Sequence, residues 1–197
     1  PIDTPINLFL KRLLDIVFSL VVILGILSWL TPILALIIPL TSKGPLFFKQ
    51  KRNGIDGKEF YCYKFRSMTI NKDANDKQAS KNDMRTTELG KFLRRTSIDE
   101  LPQFYNVLLG DMSVVGPRPH MVSHTHSFKQ QIDKFMVRHL VKPGITGLAQ
   151  VSGYRGGIET EHDIKSRVRF DIFYVENWSI LMLSLIHISE PTRLGMI

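Results

Sequence analysis

The feature that most constrains this chain is an uncharged apolar run of 27 residues, from Ile16 to Ser42. It is too long for an ordinary core helix, and a run of this length is typical of a helix that enters a membrane. A cleavable signal peptide is the first alternative. The run exceeds a usual signal-peptide core, has no clear small-x-small cleavage site and leads directly into Gly44 and Pro45, so we favour a membrane helix.

A proline divides this run into two short arms. Pro32 removes a backbone donor and clashes with the preceding turn. At about 1.5 Å per residue the arm 16–30 is about 22 Å long and the arm 32–42 about 16 Å, whereas a bilayer core is about 30 Å thick. Positive charge on both sides of the run favours both ends on the cytoplasmic face. The flanking basic residues are Lys11, Arg12, Lys43, Lys49, Lys51 and Arg52. We therefore predict a re-entrant helix broken at Thr31 and Pro32, with a kinked spanning helix as the alternative.

Composition bounds the class of protein. With 197 residues, 44% of them hydrophobic, the chain is long enough for one domain with a core. A net charge of +8 predicts an anionic partner, and charge alone leaves open lipid headgroups, nucleotide phosphates and nucleic acid. Cys62 is the single cysteine, which excludes an intramolecular disulfide and fits a reducing compartment. The first residue is Pro1 rather than Met, so we leave open that the sequence is a piece of a longer protein.

Two segments rich in aromatic residues predict a β-hairpin. The turn residues between them are Asn53, Gly54, Asp56 and Gly57. Side chains alternate along a strand, so the second arm has two different faces. One face carries Tyr61, Tyr63 and Phe65, and the other carries Cys62, Lys64 and Arg66. We expect one face to be buried and the other to be basic, and we expect a loop over the polar segment 71–83.

A helix start is predicted near two adjacent acidic residues. Ser97 and Glu100 have the spacing of a capping box. Pro102 follows, and proline is best tolerated in the first turn of a helix. We therefore expect Asp99 and Glu100 at the N-terminus of a helix that ends at Gly110.

Other segments are assigned from local pattern. We predict an amphipathic helix over 89–95 that lies on anionic lipid, a rigid loop over 111–119, a helix over 128–141, a glycine-rich turn over 142–147 and a last helix over 167–177. Within the rigid loop, Arg118 stands between two prolines. Its backbone is therefore held in a fixed position.

The adjacent carboxylates of Asp99 and Glu100 have a structural explanation, since acidic residues stabilise a helix N-terminus. The basic residues that accompany them favour a catalytic role over this structural one. Lys64, Arg94 and Arg118 would offset the repulsion between a carboxylate and a phosphate, and guanidinium groups suit phosphate oxygens. A divalent ion held by a neighbouring carboxylate would serve the same purpose.

Several motifs in a fixed order identify a family. They are Lys11-Arg12, Lys64-Phe65-Arg66-Ser67-Met68, the segment from Arg94 to Gln103, the segment from Gly110 to Pro119 and the segment from Lys142 to Gly147. Together they resemble the bacterial sugar transferases, the monotopic polyprenyl-phosphate phosphoglycosyl transferases, over about residues 8 to 183. Three further segments, 136–139, 153–156 and 174–179, are most similar to undecaprenyl-phosphate glucose phosphotransferases of exopolysaccharide pathways.

This resemblance implies a reaction in two steps. Asp99 matches the nucleophile, which attacks the β-phosphate of a UDP-sugar, releases UMP and holds the phosphosugar covalently. Glu100 matches the residue that binds Mg²⁺, the expected cofactor. Lys64, Arg94 and Arg118 match phosphate-contacting positions. Undecaprenyl phosphate then takes the phosphosugar. An aspartate with an ordinary pKa is ionised at neutral pH and needs no general base.

The resemblance also implies an architecture. We expect an α+β monotopic membrane protein with the re-entrant helix in residues 1–43, a catalytic domain in 44–183 and interfacial helices around a small sheet. The expected location is the cytoplasmic face of the bacterial inner membrane. The expected partners are a UDP-sugar, undecaprenyl phosphate and membrane lipids, with no nucleic acid, and an oligomer is compatible with the sequence. Glucose is the favoured sugar, although no motif fixes its identity.

The chain departs from the family pattern at three places. Thr31 stands where many members have serine before the proline, and either hydroxyl can bond a freed carbonyl. Leu148 stands where a tryptophan is common, so the contacts expected from that ring are replaced by those of a smaller side chain. The tail 184–197 is unlike the family, and a read-through or assembly artefact would explain it.

Two other functions remain as alternatives. One is a membrane-anchored module that binds nucleic acid or anionic lipid, and the other is a non-catalytic scaffold of a polysaccharide assembly complex. Ser113 is an alternative nucleophile, but no histidine is near it in sequence, so we treat it as a loop residue. His124 and His126 lack nearby metal ligands. We expect Cys62 to be packed and Asp171 to support the site or the fold.

Overall fold

The computed structural model describes residues 4–70, 83–123, 125, 128, 132, 134–154, 160–179 and 182. The loop predicted from residue 71 onward, His124, His126 and the tail 184–197 lie outside these residues, except that Asp83 is described. The fold is α+β. Its helices are α1 (Pro5–Val22), α2 (Ser28–Thr41), α3 (Glu88–Arg95), α4 (Gln103–Leu109), α5 (Leu148–Val151) and α6 (Glu161–Glu176). Its strands are β1 (Phe47–Asn53), β2 (Glu59–Phe65), β3 (Ser113–Val115) and β4 (Gly144–Thr146).

The apolar run forms one long helical segment. In the described part of the chain, Pro5–Thr41 is the one helix long and apolar enough to cross a membrane. Its outward side chains are apolar: Leu36 is 74% exposed and Leu40 is 86% exposed. Exposure of such an apolar surface to water is unfavourable over the length of a whole helix, whereas exposure to lipid acyl chains is not.

The irregularity of this segment is a π-helical stretch, Ile23–Leu27, between α1 and α2. Thr31 and Pro32 both lie inside α2, and the helix does not end at them. Side chains bond two carbonyls of the stretch: Ser28 Oγ donates to Leu24 O at 2.6 Å and Trp29 Nε1 to Gly25 O at 2.8 Å. Such bonds compensate an interrupted backbone ladder in lipid. Thr31 Oγ1 is buried and bonds no described group, so its hydroxyl does not use its capacity to bond a freed carbonyl.

The N-terminal part of α1 is bound to the rest of the protein by buried polar contacts. Lys11 Nζ donates to Ser113 Oγ at 2.5 Å and to Val115 O at 2.8 Å. Ser113 Oγ in turn donates to Asp15 Oδ1 at 2.9 Å, and that oxygen also accepts from Val114 N. These bonds satisfy a buried lysine and a buried aspartate together, which makes their burial tolerable.

Two arginines bind the helical segment to the domain at its two ends. Arg12 donates to Val107 O at 2.6 Å and Leu108 O at 2.9 Å, and thus caps the carbonyl end of α4. Past α2, Arg66 donates to Ser42 O at 2.5 Å and to Lys43 O at 2.9 Å. The segment therefore contacts the same domain before and after its apolar run.

The predicted hairpin is confirmed. Strands β1 and β2 pair antiparallel from Phe47 opposite Phe65 to Asn53 opposite Glu59. The expected division into one buried face and one basic face is wrong, because each face is buried over part of its length. Phe65 is covered by apolar side chains of α2 and α3, while Tyr61 on the same face is 52% exposed.

The other face of β2 includes a charged side chain that points inward. Cys62 is 2% exposed and packs in the main core with Val107 of α4, which confirms the expectation of a packed cysteine. Lys64 follows on this face, and its ammonium group is paired with Glu100. A lysine can occupy this inward position because a carboxylate meets it there.

The start of the central helix differs from the prediction. Ser97 has a left-handed backbone (φ 59°, ψ 14°) and makes no capping hydrogen bond, so the predicted capping box is wrong. A 3₁₀ turn, Ile98–Glu100, precedes α4, which begins at Gln103. Gly110 ends α4 with φ 99°, as predicted.

A second, two-stranded sheet was not predicted from the local sequence pattern. The predicted loop 111–119 contains β3, and the predicted turn 142–147 contains β4, which pairs parallel to it. A Cβ on Gly144 would collide with the main chain of Gly116, so glycine is required where the two segments meet.

Two helices differ from their predicted bounds. In the predicted helix 128–141, the element described is a 3₁₀ helix, Phe135–Leu140. The last helix, α6, begins at Glu161 rather than Arg167. Its start is fixed by a capping box between Thr160 and Asp163 that sequence reasoning missed.

Candidate active site

The centre of the site is Glu100, which two cations hold from different parts of the chain. Lys64 Nζ lies 2.6 Å from Glu100 Oε1, and an Arg118 nitrogen lies 2.9 Å from the same oxygen. Lys64 comes from β2 and Arg118 from the proline-flanked segment after β3. Asp99 and Glu100 are only 6% and 9% exposed. The structure thus gathers four of the sequence-predicted site residues.

The 3₁₀ turn places the two carboxylates. Glu100 N donates to Ser97 O at 3.1 Å and Leu101 N to Ile98 O at 3.1 Å, which closes the turn. Ser97 adopts its left-handed conformation at the entry to this turn. That conformation is unfavourable for a residue with a Cβ, and such strain is common next to functional groups.

The two carboxylates have opposite electrostatic environments. Burial raises the pKa of Asp99, with the negative charge of Glu100 adding to the effect, although Lys64 opposes it. Burial alone would also raise the pKa of Glu100, but Arg118 and Lys64 hold it well below its ordinary value. Glu100 is therefore the anchored anion of the pair, and Asp99 is the more basic carboxylate. The expectation of an ordinary pKa for Asp99 is wrong because this side chain is desolvated.

Arg94 affects Asp99 through its charge, while its own hydrogen bonds are to other residues. It donates to Ser67 Oγ at 3.0 Å and lies 3.5 Å from Thr86 Oγ1. Its charge still lowers the pKa of Asp99. Thr31, like Pro32, belongs to α2 and makes no hydrogen bond to these groups.

Glu100 is the residue that the family resemblance assigns to magnesium, and its carboxylate is an oxygen ligand of the type that Mg²⁺ prefers. Mg²⁺ is usually held by one or two protein carboxylates together with phosphate oxygens and water. Among the described residues, no group of three or more His, Cys, Asp and Glu side chains could hold a metal ion alone. Asp99 and Glu100 are adjacent acidic side chains beside cations, which suits a metal–diphosphate unit better than a bare ion.

Ser113 is unsuited to act as a nucleophile. It is completely buried, and its hydroxyl is held between Lys11 and Asp15. Its role is to bind α1 to β3.

Sequence reasoning missed two arginines that contact the Arg118 segment. Arg52 donates to Pro119 O at 2.6 Å, and Arg138 donates to Arg118 O at 2.6 Å. Arg138 is also ion-paired with Asp171 at 2.9 Å, and both side chains are 3% exposed. Burial raises the pKa of Asp171 to about 6 despite this partner. No local pattern predicts such contacts, because the partners are far apart in sequence.

Comparison with known proteins gives consistent matches. A family model described as bacterial sugar transferase matches residues 6–192. A UDP-glucose:undecaprenyl-phosphate glucose-1-phosphate transferase from Klebsiella pneumoniae is 50% identical over 183 residues, which cover 90% of this chain and 39% of that protein. A protein of the same name from Caulobacter vibrioides is 44% identical over 171 residues, covering 86% of this chain and 64% of that protein.

A third relative is named for a different sugar. A UDP-N-acetylgalactosamine-undecaprenyl-phosphate N-acetylgalactosaminephosphotransferase from Aeromonas hydrophila is 41% identical over 187 residues, which cover 94% of this chain and 43% of that protein. The chain thus spans less than two thirds of the length of each of these three relatives.

Proposed function

The chain belongs to the bacterial sugar transferase family, and from this premise we propose that it transfers a sugar-1-phosphate from a UDP-sugar to undecaprenyl phosphate. The observation that carries the proposal is the pair of buried carboxylates, of which Glu100 is held by Lys64 and Arg118 while Asp99 is left the more basic. This arrangement offers a nucleophile beside cations that suit a diphosphate. It would serve as the first membrane step of exopolysaccharide or capsule synthesis.

The reaction has two displacement steps at one phosphorus atom. A carboxylate oxygen of Asp99 attacks the β-phosphorus of the UDP-sugar, the bond to the bridging oxygen breaks, and UMP leaves with that electron pair. The phosphosugar is then an acyl phosphate on Asp99. A phosphate oxygen of undecaprenyl phosphate attacks the same phosphorus, and the bond to Asp99 breaks, which regenerates the carboxylate.

The charged residues around Asp99 have different roles in this reaction. Lys64 and Arg118 orient Glu100 and add positive charge where the diphosphate binds. Glu100 would hold Mg²⁺, which would supply further neutralisation of the diphosphate charge. Arg94 adds long-range positive charge at Asp99 and favours its ionised, nucleophilic form.

Glucose is the favoured sugar. The relatives from Klebsiella pneumoniae and Caulobacter vibrioides are both named for glucose, whereas the one from Aeromonas hydrophila, at 41% identity, is named for N-acetylgalactosamine. The difference in identity is small, so a panel of donors is the proper test.

The apolar helix is proposed to enter and leave the membrane on the cytoplasmic side. A straight helix from Lys11 to Lys43 would be about 48 Å long, longer than a bilayer core is thick. Lys11, however, bonds Ser113, and Arg66 bonds the carbonyl of Lys43. Contact of both ends with one domain supports a re-entrant helix at the inner membrane over a spanning one.

The deciding experiment measures UMP release by the detergent-solubilised protein with Mg²⁺ from several UDP-sugars, with and without undecaprenyl phosphate. We expect acceptor-dependent turnover of one donor and a loss of at least about 1,000-fold in Asp99→Asn. Asp56→Asn is the matched control, because Asp56 is exposed in the hairpin turn and asparagine tolerates its left-handed backbone.

Two results would contradict the proposal. Salt-sensitive binding of anionic ligands that is equal in wild type and Asp99→Asn, without UMP release, would favour a binding module. A protein that assembles with a polysaccharide complex and releases no UMP from any donor would favour a scaffold.

A further inference from the structure

The main chain around Arg118 is held by two guanidinium groups from distant elements. Arg138 donates to the carbonyl oxygen of Arg118, and Arg52 donates to the carbonyl oxygen of the next residue, Pro119, both at 2.6 Å. Arg52 belongs to β1 and Arg138 to the 3₁₀ helix Phe135–Leu140. Consecutive carbonyls beside a site residue are therefore fixed from two independent parts of the fold.

Each of these guanidinium groups is itself held in place. Arg138 is paired with Asp171 of α6 at 2.9 Å and lies 5.4 Å from the ring centre of Phe135. Arg52 also donates to Gln50 Oε1 at 2.6 Å. Arg52 bonds its two acceptors through separate nitrogens of its planar fork, a geometry that lysine cannot reproduce. Arg138 instead reaches the Arg118 carbonyl and Asp171 through the same nitrogen, Nη2.

We propose that Arg52 and Arg138 are positioning residues of the transfer reaction, which hold the Arg118 backbone so that its guanidinium meets Glu100 and the diphosphate. The inference rests on the proposed function. Neither residue needs to touch the substrate. Small displacements of a group that stabilises a transition state cost up to roughly 100-fold in rate. Pro117 and Pro119 limit the backbone torsions of this segment, and the two arginines fix where the segment lies.

Arg52 has a second effect through its charge. Its two hydrogen-bond acceptors are neutral oxygens, and within the described residues it forms no ion pair. Its charge acts on both Arg118 and Glu100. The region around the carboxylates therefore keeps an excess of positive charge for an anionic substrate.

The test is a double-mutant cycle in the full chain, with UMP release as the activity. Both variants keep the positive charge: Arg52→Lys removes the fork that reaches two acceptors, and Arg138→Lys removes the guanidinium group that links the Arg118 carbonyl to Asp171. Each is expected to lower kcat by roughly 10-fold to 100-fold with a smaller change in KM. In an Arg118→Ala background, the same substitutions are expected to lower kcat less than about 2-fold, because the group they position is gone. Arg169→Lys, on the exposed surface of α6, is the control.

An equal loss in both backgrounds would overturn the proposal, since it would mean a general structural role. Hydrogen exchange of the four backbone amides in segment 116–121, in which two residues are prolines without an amide proton, is measured without substrate and gives an answer that does not depend on activity. We expect faster exchange there in both lysine variants than in Arg169→Lys, and unchanged exchange would also overturn the proposal. A wild-type protein that turns over no UDP-sugar would contradict the proposed function, whereas the exchange result would still decide whether the two arginines hold this segment.

Discussion

Adjacent acidic residues in this protein behave differently because their surroundings differ. Glu100 meets Lys64 and Arg118 directly, whereas Asp99 is buried next to that charge without its own ion pair among the described contacts. The same two cations therefore anchor one carboxylate and leave the other available. This separation of roles between neighbouring carboxylates is what a covalent mechanism requires of a nucleophile and its support.

The pH dependence of activity should report the environment of Asp99. Burial raises its pKa, so the acid limb of the kcat/KM profile is expected above the range of an ordinary aspartate. Lys64 lowers that pKa, so Lys64→Met should move the limb to higher pH, since more alkaline conditions are then needed to ionise Asp99. The measurement is UMP release from pH 4 to pH 9, with Lys58→Met at the exposed hairpin turn as control. A limb that stays in place or moves to lower pH in Lys64→Met would contradict this account.

At the scale of elements, the close approach of α3 to the end of the hairpin fixes Arg94. A Cβ on Gly90 would collide with the carbonyl oxygen of Ser67, the residue whose hydroxyl accepts from Arg94. Gly90→Ala should therefore destabilise the protein by about 1–3 kcal/mol, as overpacking of a close contact does. Thermal unfolding in detergent measures the loss. Gly25→Ala is the control, because a Cβ there meets no atom within 4 Å, and equal midpoints for both variants would refute the predicted contact.

The elements also differ in how well the sequence predicts them. The hairpin was predictable, because alternation of side chains and turn residues is a local signal. Which part of each face is buried was not, since the inward position of the half-buried Lys64 depends on Glu100, 36 residues further along the chain. Strands β3 and β4 are three residues each and pair in parallel across 28 intervening residues, so no local periodicity indicates them.

The candidate site shows the same division between local and long-range information. Motifs pointed to Asp99, Glu100, Lys64 and Arg118, which the structure brings together. The partners of the Arg118 backbone are set by the packing of separate elements, and although segment 136–139 stood out as a motif, its pattern did not show that Arg138 reaches this backbone. Contacts between residues far apart in the chain are identified from the structure, because no local sequence signal specifies them.

For the whole molecule, the decisive question is on which side of the membrane the apolar helix ends. Thr4 precedes the run and Lys43 follows it, and both are exposed. If the helix is re-entrant, cysteines placed at either position should react with a membrane-impermeant maleimide from the cytoplasmic side only, as should a cysteine at Lys58 in the domain. Native Cys62 should contribute little background, because it is buried and burial raises the pKa of its thiol.

Sealed inside-out and right-side-out vesicles separate the two topologies. We expect Thr4→Cys, Lys43→Cys and Lys58→Cys to be labelled together in inside-out vesicles and to be protected together in right-side-out ones. A spanning helix would place Thr4 and Lys43 on opposite sides, which would break the bonds that Lys11 and Arg12 make to the domain. Labelling of Thr4→Cys from the outside would therefore rule out the re-entrant helix and the docking of α1 at once. Common labelling would place the carboxylate pair on the side where the nucleotide sugar is made.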